Sequence, residues 1–294
     1  MSAIVYISDG RLIELHRLMR HKEMNFWRLN ANPNFTNFEE GDILFLMSKD
    51  KKDKRGSEKG IVGFGVARRF EKGAPSTMWE RYKSFNGYNR QSDFYEALLK
   101  VSGKEELPKG ISSIYLDKLQ FFQDPVYLSD CGIDFRKYTE SFIYLDERGK
   151  DAVKILEKAR NNLDLWSSEE FDYDIIEKMQ ILAVINGAYD LIKMDELIKD
   201  RYRSTNDMRS FLARHKNFKV IKNSLLEAYA LSENNLTLAL FKPFHQEKGK
   251  LTRIMLGQAA LYKQLILTNY PFDLKISFVS GEGDKELEDL MNSI

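Results

Sequence analysis

Two stretches of this 294-residue chain concentrate cations in a way that suits a phosphate backbone. From residue 199 to 222 the cations are Lys199, Arg201, Arg203, Arg209, Arg214, Lys216, Lys219 and Lys222, against only Asp200 and Asp207. Between residues 48 and 60, Lys49, Lys51, Lys52, Lys54, Arg55 and Lys59 are interrupted by Asp50, Asp53 and Glu58. Clustered cations attract phosphate, and the second stretch has the length of a flap that follows a strand. The ordinary reading of such stretches is a solvated helix face or hairpin. The carboxylates Glu169, Glu170, Asp172, Asp174 and Glu177 repel the same ligand, and the formal net charge is only +1. The chain is therefore no general polyanion coat. Common catalytic motifs are missing: His16, His21, His215 and His245 are scattered, and there is no GxxxxGK[ST] or GxSxG. Gly63-Phe64-Gly65 does not extend to GxGxxG, because Arg68 stands at the third glycine position. The single cysteine, Cys131, excludes an internal disulfide and a CxxC zinc site, and reads as a small buried hydrophobe.

Hydrophobic residues make up 43% of the chain and charged residues 30%, a globular balance with length for two domains. No apolar run approaches the roughly 18 residues of a membrane span, and the N-terminus lacks a signal-peptide layout, so the expected location is cytoplasmic. Short runs rich in β-branched and aromatic residues predict strands at 4–8, 41–48, 60–70, 112–119 and 141–146, with a helix over 11–24 carrying Leu12, Leu15, Leu18 and Met19. Gly60, Gly63 and Gly65 mark bends or close approaches in the third strand. After Asp146 the apolar spacing turns helical over 151–166, 169–192 and 194–215, with Asn186-Gly187 as the strong break. The last eighty residues read as a helix over 220–231 containing Glu227, a strand ending at Lys242, a helix over 251–269, a strand over 273–280 and a closing helix. Strand, helix, strand on one sheet implies a right-handed parallel crossover.

From Gly60 to Tyr127 a glycine-punctuated strand leads into MWERYKSFNGYNRQSDFYEAL and then a second strand ending on Phe121-Phe122 and Pro125. This order resembles the PUA-like superfamily (EVE, ASCH, SRA and YTH domains) found at the front of many restriction endonucleases. Trp79, Tyr82, Asn86 and Gly87 match its Trp-x-x-(Phe/Tyr)…Asn-Gly signature. The resemblance implies a β-barrel over residues 1–148 that reads a modified or flipped base by stacking it on aromatic faces. Implied contacts are Phe26, Trp27, Arg28, Trp79, Tyr82 and Asn86, with Lys54, Arg55, Arg201, Arg203 and Arg209 on phosphates; Trp79 and its neighbours suit packing as well.

Residues 149–294 comprise a helical connector and a block resembling the PD-(D/E)XK nuclease core. That resemblance implies Glu227 as the helix glutamate and metal ligand, Lys242 as the group that activates water, and Gln258 and Tyr262 as the Gln-x-x-x-Tyr of the following helix. Leu240 occupies the place of the second carboxylate, and Asn234 and Asn235 stand where an aspartate is expected. Glu233 or Glu247 would have to complete the site for Mg2+ or Mn2+. The expected fold class is α+β: PUA-like barrel, helical connector, and α/β restriction-endonuclease-like core. The expected function is a DNA-binding restriction or phage-defence protein with a degenerate nuclease domain. DNA is favoured over RNA, no membrane partner is expected, and the restriction-type resemblance allows a homodimer. The alternative is a non-catalytic nucleic-acid reader or a regulatory, inhibitory binding protein.

Overall fold

The computed structural model describes residues 3–29, 35, 38–52, 58–134, 141–145, 149–164, 173–192, 201–221, 224, 226–232, 234–242, 248–270 and 273–294. The chain divides into two compact units, Met1–Met179 and Gln180–Ile294.

Unit 1 is built on a mixed six-stranded sheet. Its strands are β1 (Ala3–Ser8), β2 (Met24–Arg28), β3 (Ile43–Lys52), β4 (Lys59–Gly73), β5 (Ile111–Val126) and β6 (Phe142–Tyr144), in the spatial order β2-β5-β4-β3-β1-β6. β1 runs parallel to β3, from Ala3 opposite Ile43 to Ser8 opposite Ser48, and the remaining pairs are antiparallel. The expected barrel is not formed: among the described residues β2 and β6 are the two edges of an open sheet. β6 offers only three residues for pairing, and β2 is anchored to the 83–86 turn through Asn25 and Trp27.

The strands are apolar on both faces, as strands covered on both sides must be. Ile43, Phe45 and Met47 enter one core with Val5, Phe64, Phe122 and Val126, beneath α4 (Lys150–Ala159) and the first turns of α5 (Tyr173–Ile192). Leu44 and Leu46 enter the other with Ile4, Phe26, Leu116 and α1 (Gly10–Leu18). The composition shift near residue 148 thus precedes a helix whose Ala152, Ile155, Leu156 and Ala159 pack into unit 1. Gly63 is needed where β4 crosses a bulge, because a Cβ there would stand 2.4 Å from the Gln120 carbonyl oxygen. α5 continues through Asn186-Gly187; burial of Ile185, Ala188 and Tyr189 outweighs the roughly 1 kcal/mol helix penalty of one glycine.

α2 (Pro75–Tyr82), a 3-10 turn at Lys83–Asn86 and α3 (Gln91–Ser102) fill the link between β4 and β5. Their aromatic residues form a satellite core around Met78, Tyr82, Phe94, Leu98 and Ile111.

Unit 2 contains α6 (Arg201–Arg214), β7 (Lys219–Val220), β8 (Glu227–Ser232), β9 (Asn235–Leu240), α7 (Lys248–Asn269), β10 (Lys275–Ser280) and α8 (Lys285–Ser293). The sheet order is β10-β9-β8-β7; β9 and β10 are parallel and the other pairs antiparallel. The expected helix over 220–231 is corrected: Val220 belongs to β7 and residues 227–231 to β8, which pairs Glu227 with Leu240 and Ser232 with Asn235. Ala228 and Leu226 are buried beside Ala239, Phe241, Met208 and Phe211, an arrangement that a helix here would break. Asn292 of α8 covers the edge of β10, donating to the Phe278 carbonyl and accepting from the Phe278 N–H, each at 2.8 Å. Among the described residues no helix is long and apolar enough to cross a membrane.

Candidate nucleic-acid interface

A cleft of about 480 Å³ opens in unit 1 where the C-terminal end of β1, the start of α1, β2 and the end of α3 converge. That volume lies in the range of small-ligand sites. Its cationic lining is Arg11, Arg28, Lys49, Lys59 and Lys100, against one carboxylate, Asp9. Its aromatic lining is Tyr6, Phe26, Trp27 and Tyr88. Asp9 is already engaged: its Oδ1 caps α1 by accepting from the Arg11 N–H at 2.9 Å and lies 3.7 Å from Arg11 Nε. Glu58 does not dilute the lysines either, because it is buried and accepts from the Ser129 N–H (3.0 Å) and hydroxyl.

Three side chains expected from the sequence, Phe26, Trp27 and Arg28, line this cleft. Arg28 is 6% exposed, with its guanidinium carbon 3.8 Å from the centre of the Phe35 ring. Burial pulls its pKa down, and the neighbouring Tyr6 and Tyr144 phenols oppose this. Tyr88, half-buried, has its phenol pushed up to about 12 by burial and then by Asp9, with Arg11 opposing. The phenol is therefore a neutral hydrogen-bond donor at physiological pH.

Asn86, Tyr82 and Trp79 hold the wall from behind. Asn86 is fully buried; its Oδ1 accepts from Asn25 Nδ2 (2.8 Å), and its Nδ2 donates to the carbonyls of Met78 (3.1 Å) and Lys83 (3.0 Å). Its own carbonyl accepts from Trp27 Nε1 at 3.0 Å, which sets the plane of the indole. Trp79 stacks on Phe94 (centroids 5.9 Å apart) and Tyr82 on Tyr115 (5.3 Å). Gly87 follows at φ 86°, and a Cβ there would lie 2.6 Å from Leu12 Cγ. The Asn-Gly pair thus locks the 83–86 turn against both β2 and α1.

Sequence reasoning missed Arg11, Tyr6 and Lys100 as lining residues. α3 carried a signal in its apolar Phe94, Ala97 and Leu98, which place Lys100 at the border of the buried face; only the fold aims that border at Trp27. Of the charged stretch 48–60, residues 48–52 end β3 and residues 59–60 begin β4, with Lys52 opposite Lys59. Lys54 and Arg55 lie outside the described residues.

In unit 2 the residues expected for hydrolysis are only partly brought together. Gln258 Nε2 donates to one oxygen of Glu227 and the Ser224 hydroxyl to the other, and Glu227 is 2% exposed. Tyr262 is buried one turn along α7 from Gln258. Lys242 instead binds Asp284 (3.0 Å) and Glu282 (3.3 Å). Burial works against its charge, but these carboxylates outweigh it and raise its pKa. Among the described residues no three His, Cys, Asp or Glu side chains converge on a metal-sized site. Glu233 and Glu247 lie outside the described residues. Arg209 is exposed on α6, which also includes Arg201 and Arg203.

No protein-family model matches the chain, and no curated protein matches it. Among solved structures, the ASCH protein of Zymomonas mobilis is similar over 53% of this chain and 94% of its own, at 13% identity and a TM-score of 0.38. Two single-residue variants of that protein match over the same 53%, covering 95% and 98% of their chains at 12% identity, with TM-scores of 0.38 and 0.39. ASCH is one of the domains grouped in the PUA-like superfamily. Superposition at this level says nothing about ligands, and the chemistry of the cleft rests on its own residues.

Proposed function

We propose that unit 1 is a nucleic-acid-binding module whose cleft holds an unpaired stretch of the strand. The observation that carries this reading is the lining itself: five cations against one carboxylate, beside the rings of Trp27 and Tyr88. Phosphates are matched by Arg11, Lys49, Lys59 and Lys100, and a base by the rings, where stacking contributes about 1–3 kcal/mol. A base turned out of a duplex presents the same face, so a mismatched or modified duplex is a further ligand of this reading. DNA is taken as the first polymer to test, with RNA as its competitor.

The test is fluorescence anisotropy with a labelled single-stranded DNA decamer, competed by duplex and by RNA. Arg11→Ala with Lys100→Ala weakens binding and lowers the slope of log K against log salt by about 0.7 for each phosphate that is no longer neutralised. Absence of saturable binding at low salt, or a double variant indistinguishable from wild type, would defeat the proposal. Hydrolysis is not part of this reading, because Glu227 and Lys242 serve separate local networks. Plasmid incubated with Mg2+ or Mn2+ is expected to stay intact; cutting that Glu227→Ala abolishes would reinstate a nuclease.

A further inference from the structure

A second cavity of about 290 Å³ shares Arg11, Tyr88, Ala97 and Lys100 with the first. The two are therefore compartments of one groove, with α1 on one side, α3 on the other and Tyr88 at the junction. The lining differs sharply between them. In the second compartment Asp93 and Glu96, both exposed, project from the α3 face that also carries Ala97 and Lys100. The positions 93, 96, 97 and 100 fall on one side of a helix, and Asp93 to Lys100 spans about 10 Å. A polyanion site gains nothing by placing two carboxylates against the backbone. Carboxylates are acceptors only, so what they recognise is a donor, and on a nucleobase edge the donor that distinguishes bases is the exocyclic amino group.

Resting on the reading of the cleft as a nucleic-acid site, we infer that the groove takes two consecutive nucleotides. The first is held by phosphate contacts and stacking at Trp27 and Tyr88. The second is selected by Asp93 and Glu96 for a base with an exocyclic amino group. Arg11 and Lys100, common to both compartments, sit where the linking phosphate passes.

The probes are 5′-fluorescein-labelled dC10 and dT10, pyrimidine decamers that differ in the presence of the amino group. Wild type binds dC10 roughly tenfold more tightly than dT10, the discrimination of one good base contact. In Asp93→Ala/Glu96→Ala that ratio falls to about one, both positions being exposed on a helix that alanine favours. The ratio is the readout because removing two carboxylates raises affinity for any polyanion. In competition, the dinucleotide d(pCpC) displaces labelled dC10 at roughly one tenth of the concentration required of dCMP. Equal binding of dC10 and dT10, a preference that survives in the double variant, or equal potency of mono- and dinucleotide overturns this inference while leaving the nucleic-acid reading intact. Failure of both decamers to bind overturns the two together.

Discussion

Asn86 illustrates how one buried amide organises a binding surface it does not itself form. Its side chain joins β2, α2 and the 83–86 turn, while its carbonyl fixes the Trp27 indole. Replacing it with alanine removes the acceptor of the buried Asn25 amide and a buried donor to the Met78 carbonyl. Asn86→Ala is therefore expected to cost about 3 kcal/mol, read as a lower urea midpoint at unchanged m-value. A cost below about 1 kcal/mol would mean that water or relaxation replaces these bonds. Trp79, Tyr82, Asn86 and Gly87 were legible in the sequence as a recurring signature. Their role as a scaffold behind Trp27 was not, since it depends on which carbonyl each side chain reaches.

Between elements, α1 is tied to the turn that follows it by a pair of histidines. His16 is fully buried with Nδ1 3.0 Å from Nδ1 of His21, whose ring lies against Phe85. Burial, and secondarily the nearby His21, push the His16 pKa down to about 3. Below its ordinary value near 6.5 the unfolded chain takes up a proton that the folded chain refuses, so stability falls as pH falls. Above that value the effect vanishes. Between about pH 7.5 and pH 5.5 this single group removes about 1.4 kcal/mol, and His16→Leu should flatten that part of the profile in urea unfolding. A variant profile parallel to wild type would show that His16 accepts its proton within the fold. The β8 segment teaches the complementary lesson at this scale. Its apolar residues fit helical spacing, yet pairing with β9 along six residues makes it strand. A short apolar run carries no periodicity strong enough to separate the two, and sheet partners distant in sequence decide it.

For the whole molecule, every described residue lining the groove lies between Tyr6 and Ser141, within unit 1. α5 crosses the boundary between units, so a cut at residue 179 would split a helix whose Ile175, Ile176 and Met179 complete the core of unit 1. A fragment of residues 1–192 preserves that helix. It is expected to fold cooperatively and to bind the DNA decamer within about threefold of the full chain, by anisotropy at equal salt. A fragment that folds but binds far more weakly would transfer the binding energy to unit 2 and its basic segment, 199–222.

By itself, the sequence determined that this is an α+β chain and that β1, β3, β4 and β5 are strands. These follow from local composition and periodicity, which the chain carries wherever it folds. Only the tertiary structure decided that the first sheet stays open, that Glu227 is a strand residue bound by Ser224 and Gln258, and that Lys242 answers to Glu282 and Asp284. It also decided that Arg11 and Lys100, far apart in the chain, face one groove. Those outcomes depend on strand pairing and on which helix border faces which sheet end, and both are settled by long-range packing.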